Sequence, residues 1–253
     1  MRILGNKKIE FFFKNLFLSE SYLLHKRAER FYTKKTEREI QFLSNLTNRS
    51  QGSIDIGVYR GVYSYFLSKE SKYVYAFEAN PLLIEKLQKG FQKYKNIRLE
   101  NLAVSSRKGF ASLKIPYRNQ NIDYSNYEEI YQLGIATIHE KNNLANTEFK
   151  SVEIKKIDLD SYIFDHKIGF IKIDVEGHEL DVINGAKNLI LKDKPNLMIE
   201  IEEKHTGVPN IEIINKIKEF GYECYSLNND LQLKVVNQYN IKNILNNNFI
   251  FKQ

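Results

Sequence analysis

The stretch Ser53-Ile54-Asp55-Ile56-Gly57-Val58-Tyr59-Arg60-Gly61 constrains the fold more than any other part of the chain. Apolar residues alternate up to Asp55, Gly57 follows, and Gly61 closes the loop. Val62-Tyr63-Ser64-Tyr65-Phe66-Leu67 then continues in a helical pattern. The order reads as strand, tight glycine loop, helix. In an open α/β sheet such a turn lies at the carboxyl end of a strand, where ligands bind. Its glycines let the backbone approach a ligand with no Cβ in the way.

The same alternation recurs downstream. Further strands are expected at 73–77, 97–101, 109–115, 151–157, 170–174 and 197–201, with helices at 62–69, 81–89, 179–191 and 211–220. Asn80 and Pro81 suit the cap and first turn of the second of these helices. Residues 222–227 and 231–235 pair as a hairpin across Asn228-Asn229-Asp230, and 249–251 would add an edge strand. Alternating strand and helix gives one α/β domain with a doubly wound, mostly parallel sheet over residues 49–253. The late hairpin supplies an antiparallel strand at one side.

Residues 1–48 form a helical extension. Ile9, Phe12, Phe13, Leu16 and Phe17 share one face, continued by Leu23 and Leu24, with lysines around them, and a second helix spans 29–48. This amphipathic surface suits a cap on the sheet or the partner of a second copy in a homodimer. Peripheral contact with a membrane surface is the other reading. Residues 116–148, rich in Tyr, Asn and Gln, lack clear periodicity. A segment of that length reads as a substrate-facing insertion or lid, or as a plain surface loop.

The net charge of +7 admits nucleic acid, membrane or an anionic substrate as partner. The lysines are spread along the chain, however, and no stripe of lysine and aromatic residues marks a nucleic-acid face. The single Cys224 excludes an internal disulfide framework and a cysteine-based zinc site. No apolar run approaches the ~20 residues needed to span a bilayer, and the N-terminal stretch lacks the small-residue cleavage site of a signal peptide. The expectation is a cytoplasmic protein.

Three acidic groups fall at strand ends. Glu78 follows the glycine turn by about the ~20 residues at which a dinucleotide fold places its ribose-binding acid, and Ala79 follows it. Asp55 immediately before the turn disfavours a pyrophosphate and suits a ligand with a cationic group. The loop also lacks the G-x-G-x-x-G spacing. In Lys172-Ile173-Asp174-Val175-Glu176-Gly177-His178-Glu179 a buried strand delivers Asp174 to the same sheet edge, with Glu176 and His178 in the turn. Asp174, Glu176 and His178 are the candidate catalytic residues, and a histidine can act as a general base near neutral pH. Glu179 at a helix start is accounted for by the helix dipole. Glu200 and Glu202 share a strand face. With Asp174 and Glu176 they would make an oxygen-rich divalent cation site or a hydrogen-bonding network around a sugar or cofactor. The network is the preferred reading, and no metal is expected.

These motifs resemble the FkbM family of S-adenosylmethionine-dependent methyltransferases. The resemblance is carried by Ile54-Asp55-Ile56-Gly57, Ala76-Phe77-Glu78 with Pro81, Asn101-Leu102-Ala103-Val104-Ser105, Ile171 to Glu179, Asn184-Gly185-Ala186 and Ile199-Glu200-Ile201. It covers roughly residues 50 to 205, and the K-I-D-V-E-G-x-E run is its most specific part. It implies a Rossmann-like class I methyltransferase fold, seven strands with an antiparallel last strand. It also implies O-methylation of a hydroxyl on a sugar, polyketide or related metabolite, with a small molecule or glycan precursor as acceptor. By the same resemblance Asp55, Gly57 and Gly61 line the methionine part of the cofactor, Glu78 holds the ribose, and Ala79 is a further cofactor-binding residue. Asn101, Ala103 and Val104 lie near the adenine, and Asp174 sits beside the transferred methyl. Val58 and Tyr59 depart from the small or polar residues usual in that loop, so Tyr59 packs over the cofactor or narrows the pocket. The rivals to this reading are a nucleic-acid methyltransferase, an NAD-dependent sugar oxidoreductase or epimerase, and a binding module without turnover.

Overall fold

The structure, a computed structural model, describes residues 18–116, 134–140, 142 and 148–253. The apolar face proposed for residues 9–17 and most of the 116–148 segment lie outside these residues. The main sheet has eight strands in the order β10-β9-β11-β8-β7-β1-β2-β3. They are β1 (Gly52–Ile56), β2 (Tyr73–Phe77), β3 (Ile97–Glu100), β7 (Ile168–Ile173), β8 (Asn196–Glu200), β9 (Glu223–Leu227), β10 (Leu233–Val235) and β11 (Asn248–Lys252). β1, β2, β3, β7 and β8 run parallel, whereas β11 is antiparallel to both β8 and β9.

Two expectations change here. The sheet has eight strands rather than seven, because β10 extends it beyond β9. The segment 249–251 is not an edge strand: it enters the sheet between β8 and β9, with Phe249, Ile250 and Phe251 all buried. Three consecutive apolar residues are the pattern of a strand covered on both faces. The strands at 109–115 and 151–157 form, but in a separate three-stranded sheet. There β6 (Phe149–Ile157) lies between β4 (Ala103–Val104) and β5 (Gly109–Pro116).

Pairing on the two faces of the main sheet follows the pleat. Ile54, Ile56, Tyr75, Phe77, Ile171, Ile173, Leu197 and Ile199 pack as one core with α5 (Glu179–Asn184), α6 (Lys187–Asp193) and α8 (Asn210–Lys218). Val74, Phe170, Met198 and Ile250 face the other way, toward α2 (Glu39–Phe42) and α3 (Val62–Glu70). Asp55, Lys172 and Asp174 fall on that second face by the period of two. The expected helix at 179–191 is two helices. A Cβ on Gly185 would lie 2.0 Å from the Ser105 carbonyl oxygen, so the chain bends there to let the backbones touch.

The N-terminal helix also differs in extent. α1 (Glu20–Lys34) is one helix across the position where a second was expected to begin. The Ser19 hydroxyl accepts the Tyr22 N–H at its start, and Lys35, with φ 51°, ends it. Leu24 and Ala28 form its buried stripe, which packs against α3 and α4 (Pro81–Phe91). The Ser21 hydroxyl donates to the Gly90 carbonyl at 2.9 Å, and the His25 ring meets the Tyr65 hydroxyl at 2.7 Å. α7 (Glu203–Thr206) follows β8.

Candidate active site

Strand register builds the site. Ile56 pairs with Phe77 and with Ile173, and Ile173 pairs with Ile199. The residues that leave the sheet next, Gly57, Glu78, Asp174 and Glu200, therefore stand side by side at one edge. They open on a cavity of about 310 Å³. Ile56, Tyr59, Phe77, Ala79, Leu102, Ala103, Val104, Leu113 and Val175 line it too, with Gly134, Ile135, Ala136 and Ile138 from the far side.

The glycine turn is fixed by close backbone contact. Gly57 has φ +83°, and a Cβ there would sit 1.8 Å from the Asp174 carbonyl oxygen. No other residue fits that approach. Tyr59 takes φ 50°, a conformation uncommon for a residue with a side chain. Its N–H donates to Glu78 Oε2 at 2.7 Å, and the Asn80 N–H donates to Glu78 Oε1 at 2.8 Å. The Tyr59 ring packs on Gly134, where a Cβ would lie 2.8 Å from it. Tyr59 therefore narrows the cavity at its mouth.

Glu78 is 6% exposed, and burial pushes its carboxyl up to about 7 against the pull of its two backbone N–H donors. Each oxygen has accepted one N–H and retains capacity for a hydroxyl donor. Phe77, Ala79, Leu102, Ala103 and Val104 form an apolar wall beside it. A vicinal diol next to a flat heterocycle, as in adenosine, fits that half of the cavity.

The other half is acidic. Asp174 Oδ2 accepts from the buried Lys172 ammonium at 2.9 Å. The negative charge of Asp174, and then burial, drive the Glu200 carboxyl well above the usual carboxylate range, so Glu200 holds a proton. Burial likewise raises Glu176, which takes φ 54° and accepts from His205 Nε2 at 2.9 Å. The Glu176 carbonyl accepts from the Thr137 hydroxyl and from Asn142 Nδ2, each at 2.9 Å. Asn142 Nδ2 also lies 3.1 Å from His205 Nδ1. Thr137 and Asn142 of the inserted segment are thus tied to the turn after β7. Glu202 stays beside the cluster: its side chain hydrogen-bonds Glu200, pairs with Lys204 and lies 3.5 Å from His205.

The remaining expected residues are placed as follows. Asp55 is fully buried beneath the turn. Its Oδ2 accepts from the Ser64 hydroxyl at 2.5 Å, and it does not line the cavity. Gly61 packs against the Phe91 ring rather than the cavity. Asn101 supports the wall from outside, its Nδ2 donating to the Glu78 carbonyl at 2.9 Å. His178 lines the cavity, but burial depresses it to about 4. Its Nε2 lies 3.0 Å from the Ser105 hydroxyl and its Nδ1 3.5 Å from Asp181 Oδ2. Among the described residues no three His, Cys, Asp or Glu side chains are placed to hold a metal ion. Glu37, between α1 and α2, lines the acidic half and was not expected from the sequence.

The fold and this edge define a class I methyltransferase: a parallel sheet with an antiparallel strand inserted beside its far strand, a glycine turn, and a buried acid at the end of β2. The chain belongs to the FkbM methyltransferase family, whose domain matches residues 55–224, and S-adenosylmethionine is its methyl donor. Among solved structures it is similar to methyltransferase FkbM from Methylobacillus flagellatus KT, with TM-score 0.51 and 17% identity over 81% of this chain. The aligned part is 44% of that protein, so the chain spans less than half its length. It is also similar to SMU.1697c from Streptococcus mutans, solved in complex with SAH, with TM-score 0.43 and 15% identity over 85% of this chain and 94% of that one. An rRNA methylase from Streptococcus thermophilus matches at TM-score 0.40 and 15% identity, covering 85% and 92% of the two chains. No curated protein sequence matches the chain. No helix among the described residues is long and apolar enough to cross a membrane.

Proposed function

We propose that the chain methylates a hydroxyl of a sugar, glycan precursor or related small metabolite in the cytoplasm, with Asp174 as the base. The observation that carries this reading is the placement of Asp174. It ends β7 in the cavity, its side chain is 29% exposed, and a buried lysine keeps it oriented.

Bound S-adenosylmethionine supplies a methyl group already activated on a sulfonium. The chain's own residues then have to position and to move one proton. Glu78 would hold the ribose hydroxyls. The apolar wall from Phe77 to Val104 excludes water from the base. Tyr59 and the 134–138 segment close the mouth, so much of the catalysis is positioning. A neutral hydroxyl is a poor nucleophile, and Asp174 accepts its proton. Glu200, already protonated, cannot compete for that role. Glu176, held by His205, is placed to accept hydrogen bonds from neighbouring hydroxyls of a polyol.

The test begins with calorimetric titration of S-adenosylhomocysteine and of NAD, followed by acceptor screening with nucleotide sugars and glycans. Micromolar binding of S-adenosylhomocysteine, without NAD binding, is expected. With an acceptor in hand, Asp174→Ala should abolish turnover while still binding S-adenosylhomocysteine. Normal turnover by that variant removes Asp174 from the role of base. Methylation confined to amines or to nucleic acid would replace the hydroxyl reading.

A further inference from the structure

We infer that Glu37, on the segment preceding the matched domain, makes the cavity prefer the cationic cofactor S-adenosylmethionine over its neutral thioether product. The inference rests on the assignment of this cavity to the cofactor and adds a residue from outside residues 55–224.

The first ground is how Glu37 is held. The turn between α1 and α2 is clamped on both sides of it. The Thr36 N–H donates to the Phe31 carbonyl at 3.2 Å. Arg38 Nη1 donates to Asn229 Oδ1, in the β9–β10 turn, at 2.6 Å. Glu39 is buried and accepts from the Asn246 amide just before β11. Contacts to two distant parts of the chain thus fix this short turn, and the side chain between them faces the cavity. An exposed loop carrying a solvated glutamate would need none of this.

The second ground is charge. Glu37, Glu78, Asp174, Glu176 and Glu200 all line the cavity, and no lysine or arginine is among its described lining residues. Lys172 lies beneath, 3% exposed, against Asp174 and the Tyr63 ring. From β1, Asp55 also faces this lysine, and His205 of α7 pairs with Glu176 and lies 3.5 Å from Glu202 just before that helix. Burial raises Glu37 and Glu176, and Asp174 raises Glu200. Apart from the protonated Glu200, each of these carboxyls is stabilised in its ionised form by one positive charge entering this half. The methyl donor brings such a charge on sulfur and the product does not, while ammonium, carboxylate and adenosine are common to both. Discrimination between the two ligands therefore has to come from the acidic half.

The experiment is calorimetry of the full chain and of Glu37→Gln with three ligands: S-adenosylmethionine, S-adenosylhomocysteine and sinefungin, which carries an ammonium where the donor has its sulfonium. Glu37→Gln should weaken the two cationic ligands roughly tenfold, as expected for opposite charges several ångströms apart in a half-buried site. S-adenosylhomocysteine should change by less than about twofold. Glu37→Asp should keep the preference, and Glu37→Lys should deepen the loss for the cationic ligands alone. Equal weakening of all three ligands, or no change in any, overturns the inference while leaving the cofactor assignment standing. Failure of the unaltered chain to bind any of the three removes the cofactor assignment and this inference with it.

Discussion

Lys172 Nζ lies 2.9 Å from Asp174 Oδ2 and 4.6 Å from the centre of the Tyr63 ring, so a nearly inaccessible ammonium sits beneath the candidate base. Burial disfavours that charge, but the carboxylates of Asp174 and Asp55 outweigh burial and raise the lysine above its ordinary value. Replacing Lys172 with Met leaves those carboxylates without a counter-charge. The expected cost is about 3 kcal/mol of stability, measured by urea denaturation. Adding Asp174→Asn should return part of it, because the two residues act as one unit. Strict additivity of the two losses would show that the pair is not coupled.

Gly57→Ala should be among the most damaging single changes. The added Cβ would meet the Asp174 carbonyl oxygen at 1.8 Å, and φ +83° is strained for alanine in any case. The turn must open, displacing Tyr59 from Glu78 and Asp174 from its place. We expect a loss of more than about 3 kcal/mol, and no detectable binding of S-adenosylhomocysteine. A variant that melts and binds normally would contradict the close approach.

Glu78 links cofactor binding to pH. Its folded value is about 7, and a carboxylate accepts hydroxyl donors best when ionised. Binding should therefore be strongest above that value, and the dissociation constant should rise toward about tenfold per pH unit below it. Titrations at pH 6 in buffers of different ionisation heat should detect a proton released on binding. Glu78→Gln should bind more weakly and lose the pH dependence. A wild-type affinity flat from pH 5.5 to 8 would exclude Glu78 as the ribose acceptor.

Glu179 carries a different pH effect, on the fold. Its Oε1 accepts from the Gly177 N–H at 2.9 Å, its Oε2 is buried without a partner, and burial raises it from 4.5 to about 7. The folded value exceeds the unfolded one, so between those two pH values the folded state holds a proton that the unfolded state has released. Stability contributed by this group falls as pH rises from about 4.5 to 7 and is flat above. Glu179→Gln should reduce that slope and be more stable at pH 8 by up to about 3 kcal/mol, read from denaturation curves at pH 5 and pH 8. Equal stability differences at both pH values would exclude ionisation as the cause.

Gly57, Glu78 and Asp174 were legible because each closes a strand whose alternation announces itself, and the parallel sheet brings those ends to one edge. Ala79, Ala103 and Val104 came with the family resemblance. Asp55 reads as a ligand because an acid before the glycine turn suits a cationic group and the family resemblance sets it beside the methionine part of the cofactor. Strand parity sends it under α3 instead, and only pairing with Ser64 shows that. His178 looks like a base because its residue type titrates near neutral pH; its burial, which lowers that value, has no local pattern. Glu37 sits in a turn too short for periodicity, held by Asn229 and Asn246 nearly two hundred residues or more away. No window of sequence contains that information. The broken helix at Gly185 shows the same limit, since the cause is the distant Ser105 carbonyl.

β11 follows β9 and β10 in the chain yet lies between β8 and β9 in the sheet. Synthesis on the ribosome proceeds in sequence order, so the β9–β10 hairpin emerges before the strand that joins it to the rest. Until then β8 and β9 each present an open row of backbone donors and acceptors, the kind of edge that recruits other chains. Slower insertion of β11 after the chain is released would prolong that exposure. A variant that weakens β11, such as Ile250→Ala, should therefore raise the aggregated fraction during refolding from denaturant.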